Sequence, residues 1–221
     1  MSSGTDNHLK SNGGHASIRE VRAIAAERDK PAGDDREAIL VHACCASCSS
    51  YVLWHLRKRY RVKAYYYNPN IQPETEYLFR LEEMRRVCSE LGIELIDGPY
   101  DTKGWWREIE PHRHLPEKSD RCWACYAVRL EETARKTAEL GIDLFTTTLS
   151  VSPHKIHNRI VREGEAAAER HHVRFLAEDF KKRNGFKISV ERSRELGLTR
   201  QDYCGCLLSI EEAEKRRDHK S

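Results

Sequence analysis

The sequence predicts a single α/β domain built on a doubly wound, mostly parallel sheet. Short apolar runs alternate along the chain with longer segments of helical periodicity, and strands that alternate with helices form parallel sheets with right-handed crossovers. A second observation is the cysteine-rich turn at residues 42–48, directly after the first apolar run. Because open parallel sheets place their sites in the loops after the strands' carboxyl ends, this turn is the expected site.

The predicted elements follow one another from about residue 37. The predicted strands are the β-rich runs 38–43, 62–67, 93–96, 144–149 and 173–176. The predicted helices are the segments with apolar residues three or four positions apart, namely 49–59, 74–91, about 122–140 and about 154–171. The segment between Asp97 and Asp120 is expected to be irregular, with Trp105 and Trp106 covering the core.

Composition divides the chain into three parts. Residues 1–36 read as a disordered tail rich in Ser, Gly, Asn and His, a short helix around Ile18–Ala25 and a linker at residues 31–35. Residues 37–210 form the folded domain, and residues 211–221 read as a charged C-terminal tail. The sequence shows no internal repeat.

Length and charge limit the classes of function. A chain of 221 residues can bury a core without disulfides. Lysine and arginine (38) against aspartate and glutamate (35) give a net charge of +3, which permits a nucleic-acid partner without requiring one. No segment is apolar for long enough to span a bilayer, and no signal peptide is visible, so we expect a cytoplasmic protein without a membrane partner.

Seven of the eight cysteines fall in three tight clusters: Cys44, Cys45 and Cys48; Cys122 and Cys125; Cys204 and Cys206. In a reducing compartment such clusters bind metal or perform redox chemistry more often than they form structural disulfides. Adjacent side chains at a strand end point apart, so Cys44 and Cys45 are expected to serve two neighbouring metals rather than one. Seven thiols exceed the four of a structural zinc site, which favours an iron–sulfur or related redox metal site.

Two other interpretations of the clusters stay open. One is a zinc-stabilised RNA-binding module without redox activity, and the other is a dithiol oxidoreductase that uses Cys204 and Cys206. The eighth cysteine, Cys88, lies on the apolar stripe of a predicted helix, where a free cysteine behaves as a small buried hydrophobic residue.

Five motifs in series resemble the QueH-type epoxyqueuosine reductases. They cover about residues 37–210: residues 42–48, residues 67–73 with Glu76 and Tyr77, residues 121–125 with 129–133, residues 145–149 with Ser152, Pro153 and Lys155, and residues 203–206. The resemblance implies a metal-binding reductase that converts epoxyqueuosine to queuosine at the wobble position of tRNA. It also implies a 4Fe-4S cluster beside an additional iron ion, with the seven clustered cysteines as the pool of ligands, and an external electron donor.

The resemblance extends to topology and to candidate residues around the metal. The sheet resembles that of the ATP-pyrophosphatase (adenine nucleotide alpha hydrolase-like) group, but thiols stand where that group has its phosphate loop. A turn committed to metal cannot also wrap a triphosphate, so we expect that ATP is not used. Tyr67, Tyr203 and His154 lie in or beside the matching motifs and are candidate proton donors for the departing oxygen, although each could equally serve to pack or orient a loop.

The best candidate for an RNA-binding surface is a basic stretch after the last predicted strand. Residues 181–200 carry seven lysines and arginines against two glutamates, a local charge of +5. Such a patch attracts phosphate, and an aromatic residue within it can stack on a splayed base; a solvated helix face is the alternative. The candidate RNA-binding residues are Lys181, Lys182, Arg183, Phe186 and Lys187.

Overall fold

The structure is a computed structural model that describes residues 35–218. The predicted N-terminal tail, the helix around Ile18–Ala25 and nearly all of the linker lie outside these residues. None of the helices described combines the length and apolar character needed to cross a bilayer.

The described residues contain one five-stranded sheet in which every pairing is parallel, with the order β3-β2-β1-β4-β5. The strands are β1 Ala38–His42, β2 Arg61–Tyr66, β3 Glu94–Asp97, β4 Leu144–Thr147 and β5 Arg174–Phe175. In the central strand, Val41 pairs with Ala64 of β2 and with Thr146 of β4. The predicted doubly wound α/β class is confirmed.

Seven α-helices accompany these strands within residues 35–218. They are α1 Ala46–Leu56, α2 Glu74–Leu91, α3 Thr102–Ile109, α4 Asp120–Glu139, α5 His157–Arg170, α6 Gly185–Glu195 and α7 Leu207–Asp218. α2 has the predicted bounds, and Gly92 ends it with a left-handed backbone (φ +62°). The predicted fourth strand is too long, because Thr148–Val151 form a 3-10 helix.

The expectation that the segment between Asp97 and Asp120 is irregular is wrong. α3 and a 3-10 turn occupy part of 97–120; Asp101 caps α3 by accepting a hydrogen bond from the Gly104 N–H at 2.8 Å. Trp105 and Ile109, one turn apart, are both buried, so packing stabilises this short helix. Residues 211–218, expected in a charged tail, belong to α7, whose Ala213 is buried.

The sheet has an apolar core on each face. Successive residues of a strand point to opposite faces, so Ile39 and Val41 enter the core beneath α1 and α2, whereas Leu40 enters the core beneath α4 and α5. Full burial of each such side chain contributes about 1.5–3 kcal/mol. Cys88 lies in the first core and is 2 % exposed, which confirms the interpretation of this thiol as a core residue.

The start of α6 depends on a glycine. A Cβ added at Gly185 would lie 1.8 Å from the carbonyl oxygen of Phe180 and 2.9 Å from the Tyr51 ring. Because backbone cannot give way as a flexible side chain does, we expect Gly185→Ala to lower the free energy of unfolding by about 1–3 kcal/mol, measured by urea denaturation. Lys182→Ala, in the same loop but exposed, should stay within about 0.5 kcal/mol; equal effects would contradict this packing.

Candidate active site

Three of the clustered thiols meet where β1 leads into α1. The sulfur atoms of Cys44, Cys45 and Cys48 all lie within 4.8 Å of one another, and those of Cys44 and Cys45 are 3.9 Å apart. The expectation that the two adjacent thiols point apart is wrong, because β1 has already ended at His42 and Cys45 is the N-terminal cap of α1. Strand alternation therefore does not apply to them, and these three sulfurs can contact one metal ion.

The other four thiols line a second, adjoining space. Cys122 and Cys125 from the first turns of α4 face Cys204 and Cys206 across a cavity of about 20 Å³, which is roughly the room that one water needs. Cys204 also lines a larger cavity of about 480 Å³ together with the β1–α1 thiols. The three cysteine groups, far apart in sequence, thus converge on two cavities that share Cys204.

A buried guanidinium lies among these thiols without a carboxylate partner. Arg129 of α4 is 1 % exposed, and its N–H groups donate to the ring of His42 and to Asn68 Oδ1. No acidic side chain among the described residues forms an ion pair with it. Burial acts to lower the pKa of Arg129, but the neighbouring thiols, above all Cys125, outweigh burial and raise it. Arg129 in turn helps to lower the pKa of Cys44 and of Cys204, whereas burial raises the pKa of Cys125.

Arg129 also fixes the charge of a buried histidine. The ring nitrogens of His42 lie 2.8 Å from Thr147 Oγ1 and 3.1 Å from the Tyr67 carbonyl oxygen. Burial and then the positive charge of Arg129 lower the pKa of His42 to about 3, so the ring is neutral at physiological pH. A neutral imidazole here orients Arg129 and the strand ends and adds no further positive charge.

Hydrogen bonds favour thiolate at Cys44. The pKa of Cys44 is well below its usual range because Cys45 and Cys48 donate to its sulfur, with Arg129 and Thr148 adding to the effect. The Thr148 hydroxyl lies 3.1 Å from that sulfur and accepts from the Cys44 N–H at 2.9 Å. The same coupling raises the pKa of Cys45 to about 12, so Cys44 loses its proton more readily than Cys45.

A second thiolate pairs with a lysine. Lys155 donates to Cys204 Sγ at 3.0 Å, and Lys155 and Cys204 both line the two cavities. Burial acts to raise the pKa of Cys204, but Lys155 and then Arg129 outweigh burial and lower it. At the neighbouring Cys206, burial and then the charge of Cys204 raise the pKa to about 12.

This asymmetry predicts a pH dependence in the reduced, metal-free protein. Cys204 should lose its proton, and hence react with iodoacetamide, at a lower pH than Cys206, because only the thiolate is nucleophilic. Lys155→Met removes the positive charge beside Cys204, so the pH profile of Cys204 alkylation should move to higher pH. Lys155→Arg keeps that charge, so its profile should lie close to that of the wild-type protein. Peptide mass spectrometry of quenched samples gives both profiles, and an unchanged Cys204 profile in Lys155→Met would contradict the pairing.

The three candidate proton donors lie in different places. Tyr203 and His154 line the large cavity, and the Arg80 guanidinium lies 5.1 Å from the centre of the Tyr203 ring. Tyr67 instead packs in the core beside Tyr65, with ring centres 6.0 Å apart, and burial raises its pKa to about 12. Of the three candidates, Tyr203 and His154 therefore line the large cavity and Tyr67 does not.

The candidate RNA-binding residues lie beside the same cavity. Phe186 lines it, whereas Lys182, Arg183 and Lys187 are exposed to solvent. Lys181 is half-buried and forms an ion pair with Asp179 at 3.4 Å, so it is less free than the others to bind phosphate.

The sequence analysis did not identify the cations Arg80, Arg129 and Lys155, which lie beside the thiols. Arg80 is 3 % exposed, lines the large cavity and donates to the Cys204 carbonyl at 3.3 Å and to Glu76 at 2.7 Å. Arg129 and Lys155 belong to the sequence motifs that resemble the reductase family, and this position in the motifs could have identified them as site residues. Neither residue type is expected inside a protein without a charged partner.

Fold and site together define a class: a parallel α/β protein whose strand-end pocket is lined by thiols of the kind that bind transition metals. The family model described as "Epoxyqueuosine reductase QueH" matches residues 39–212. The chain therefore belongs to the epoxyqueuosine reductase QueH family, as the sequence motifs predicted.

Individual relatives agree with the family model. A protein named epoxyqueuosine reductase QueH from Helicobacter pylori is 38% identical over 181 residues, 78% of this chain, although the chain spans only 49% of that relative. Relatives of the same name from Streptococcus pyogenes and Thermotoga maritima are 36% and 34% identical. The alignments cover 78% and 82% of this chain and 70% and 93% of those relatives.

Proposed function

We propose that this protein is a tRNA-modifying reductase that converts epoxyqueuosine to queuosine at the wobble position. The observation that carries the proposal is the convergence of seven thiols and the cations Arg80, Arg129 and Lys155 on two adjoining cavities. Family membership, with relatives named epoxyqueuosine reductase, supports the same activity. The proposed location is the cytoplasm, and the proposed partners are the tRNA and an external electron donor, without ATP.

The donor set fits a 4Fe-4S cluster with an additional iron ion. A 4Fe-4S cluster takes four thiolates, which leaves three of the seven thiols for a further iron. The cations Arg80, Arg129 and Lys155 offset the negative charge that several thiolates bring into a buried site. We propose that the ligands are drawn from Cys44, Cys45, Cys48, Cys122, Cys125, Cys204 and Cys206.

The reaction requires more than side chains can supply. Converting an epoxide to an alkene removes one oxygen as water and consumes two electrons and two protons. The iron centre, when bound, supplies the electrons from the external donor and a Lewis acid for the oxygen.

The side chains of this chain handle binding and protons. Tyr203 and His154, which line the large cavity, are the proposed sources of the proton for the departing oxygen. Arg80 holds the Tyr203 ring and the Cys204 loop in place through its contacts with both. The cavity of about 480 Å³ is large enough for one modified nucleoside, which must leave the stack of the anticodon loop to enter.

The deciding experiment incubates anaerobically purified protein and a strong reductant with tRNA carrying epoxyqueuosine. Mass spectrometry of the digested RNA should show loss of one oxygen, and the protein should be brown and contain iron and acid-labile sulfide. A colourless protein with stoichiometric zinc and no turnover would favour the RNA-binding module instead. Turnover that survives complete removal of iron would favour dithiol chemistry at Cys204 and Cys206.

A further inference from the structure

An aromatic ring and a guanidinium lie close together at the large cavity. Phe186, the second residue of α6, and Arg200, beyond the end of that helix, both line the cavity. The guanidinium carbon of Arg200 lies 5.5 Å from the centre of the Phe186 ring. Arg200 is exposed, and its Nη1 donates to the hydroxyl of the buried Ser193 at 3.1 Å. The pair therefore has a defined position at the edge of the space that receives substrate.

This pair is held at a fixed place relative to the thiols. The hydroxyls of Ser189 and Ser193, both buried on α6, donate to the Ser47 carbonyl at 3.0 Å and 3.3 Å. Ser47 lies in the first turn of α1, directly before Cys48. On the other side, Phe186 follows Gly185, where an added Cβ would lie only 1.8 Å from the Phe180 carbonyl oxygen, so no side chain fits there. Two hydrogen bonds and a tight turn thus connect the ring to the metal-ligating helix.

The size of the cavity determines what this pair can contact. A volume of about 480 Å³ is in the range that encloses one ligand of nucleoside size. When one nucleotide of an RNA loop enters, the nucleotides beside it stay at the edge, where Phe186 and Arg200 lie. Unstacked loop bases are bound by stacking on aromatic rings and arginine planes. The exposed charges of Lys182, Arg183 and Lys187 are suited to the phosphates nearby.

We propose that Phe186 and Arg200 form a stacking platform for the nucleobase adjacent to the modified nucleotide. This inference rests on the proposed function and adds the subsite that distinguishes a loop from an isolated nucleoside. An aromatic ring stacks on any of the bases, and Arg200 adds a positive charge and a second planar surface. The platform therefore recognises an unpaired nucleobase beside the modified nucleotide, whichever base it is.

A double-mutant cycle tests the platform without relying on catalysis. Fluorescence anisotropy gives the Kd of an anticodon stem-loop carrying epoxyqueuosine and of the same stem-loop with an abasic site on the 5′ or the 3′ side of that nucleotide. We expect Phe186→Ala to weaken binding of the intact stem-loop about tenfold. An abasic site on one side should weaken binding to the wild-type protein by a similar factor. The same abasic site should weaken binding to Phe186→Ala by less than about twofold, because this variant has already lost the stacking contact.

Further variants separate stacking from charge. Arg200→Lys keeps the charge but loses the plane, so it should weaken binding with little change in salt dependence; Arg200→Met should also flatten the plot of log K against log salt. Lys187→Met should reduce the magnitude of the slope of that plot by about 0.7. Its effect on the binding free energy should add to the effect of the abasic site. The control Trp54→Ala, which removes an aromatic residue of α1 that contacts Arg192 and is not part of the cavity wall, should also be additive.

Each outcome decides the platform. Loss of the abasic effect in Phe186→Ala supports it, and additive effects of Phe186→Ala and both abasic sites overturn it while leaving the proposed function intact. If the wild-type protein neither binds the stem-loop nor removes the oxygen, the proposed function is overturned and the platform with it. Melting curves of every variant establish that the folded protein was compared.

Discussion

Replacing Cys45 by alanine is expected to abolish the loss of oxygen from epoxyqueuosine, by at least about a thousandfold. The Cys45 sulfur lies within 4.8 Å of those of Cys44 and Cys48, and all three residues line the large cavity, so the substitution removes one of the proposed iron ligands. Its proton, held in the metal-free protein by a pKa of about 12, is released when metal binds. The measurements are turnover by mass spectrometry and iron and sulfide content after anaerobic reconstitution.

Cys88→Ala is the matched control, because it removes the one cysteine outside the three clusters. This thiol is buried in the core beneath α2, so the variant should lose about 1–2 kcal/mol of unfolding free energy and keep its iron and its turnover. Full iron content and activity in Cys45→Ala would contradict the proposed site. Equal losses of iron in both variants would indicate damage to the fold instead.

The second large effect is expected from Arg129→Met. The guanidinium is buried among thiols, and no carboxylate within residues 35–218 pairs with it, so its loss removes one of the counter-charges of the anionic sulfurs. Cys44 and Cys204 should then ionise at higher pH, because Arg129 helps to lower the pKa of both. Since thiols bind metal as thiolates, we expect the affinity for iron to fall about 10- to 100-fold, measured by competition with a chelator.

Arg135→Met on the same helix is the control. Arg135 is exposed and pairs with Glu132 and Glu139 on the surface, so its removal should change stability by less than about 1 kcal/mol and leave iron affinity unchanged. Arg129→Lys should restore part of the affinity, because it keeps the charge but cannot reach His42 and Asn68 together. Wild-type affinity in Arg129→Met would show that the thiols do not need this cation.

The parts of the fold that sequence patterns predicted are the parts set by local chemistry. Strand and helix types follow from apolar periods of two and of about 3.6 residues, and α2 ends where Gly92 allows a left-handed backbone. The α3 helix was missed because its amphipathic pattern covers only eight residues and short helices depend on tertiary packing. The cap at Asp101 and the spacing of Trp105 and Ile109 were the usable signals.

The sequence by itself determined the α/β class, the three thiol groups, the role of Cys88 and the family. Each of these depends on residues that are close together in the sequence or on motifs that follow one another in a fixed order. The tertiary structure alone decided that Cys44 and Cys45 point together, that Cys204 lines both cavities, and that Arg129 and Lys155 are the counter-charges of the thiols. The energy of a buried charge depends on which groups surround it in space. Those groups come from segments more than a hundred residues apart, as in the pairing of Thr148 with Cys44, and no local pattern records that proximity.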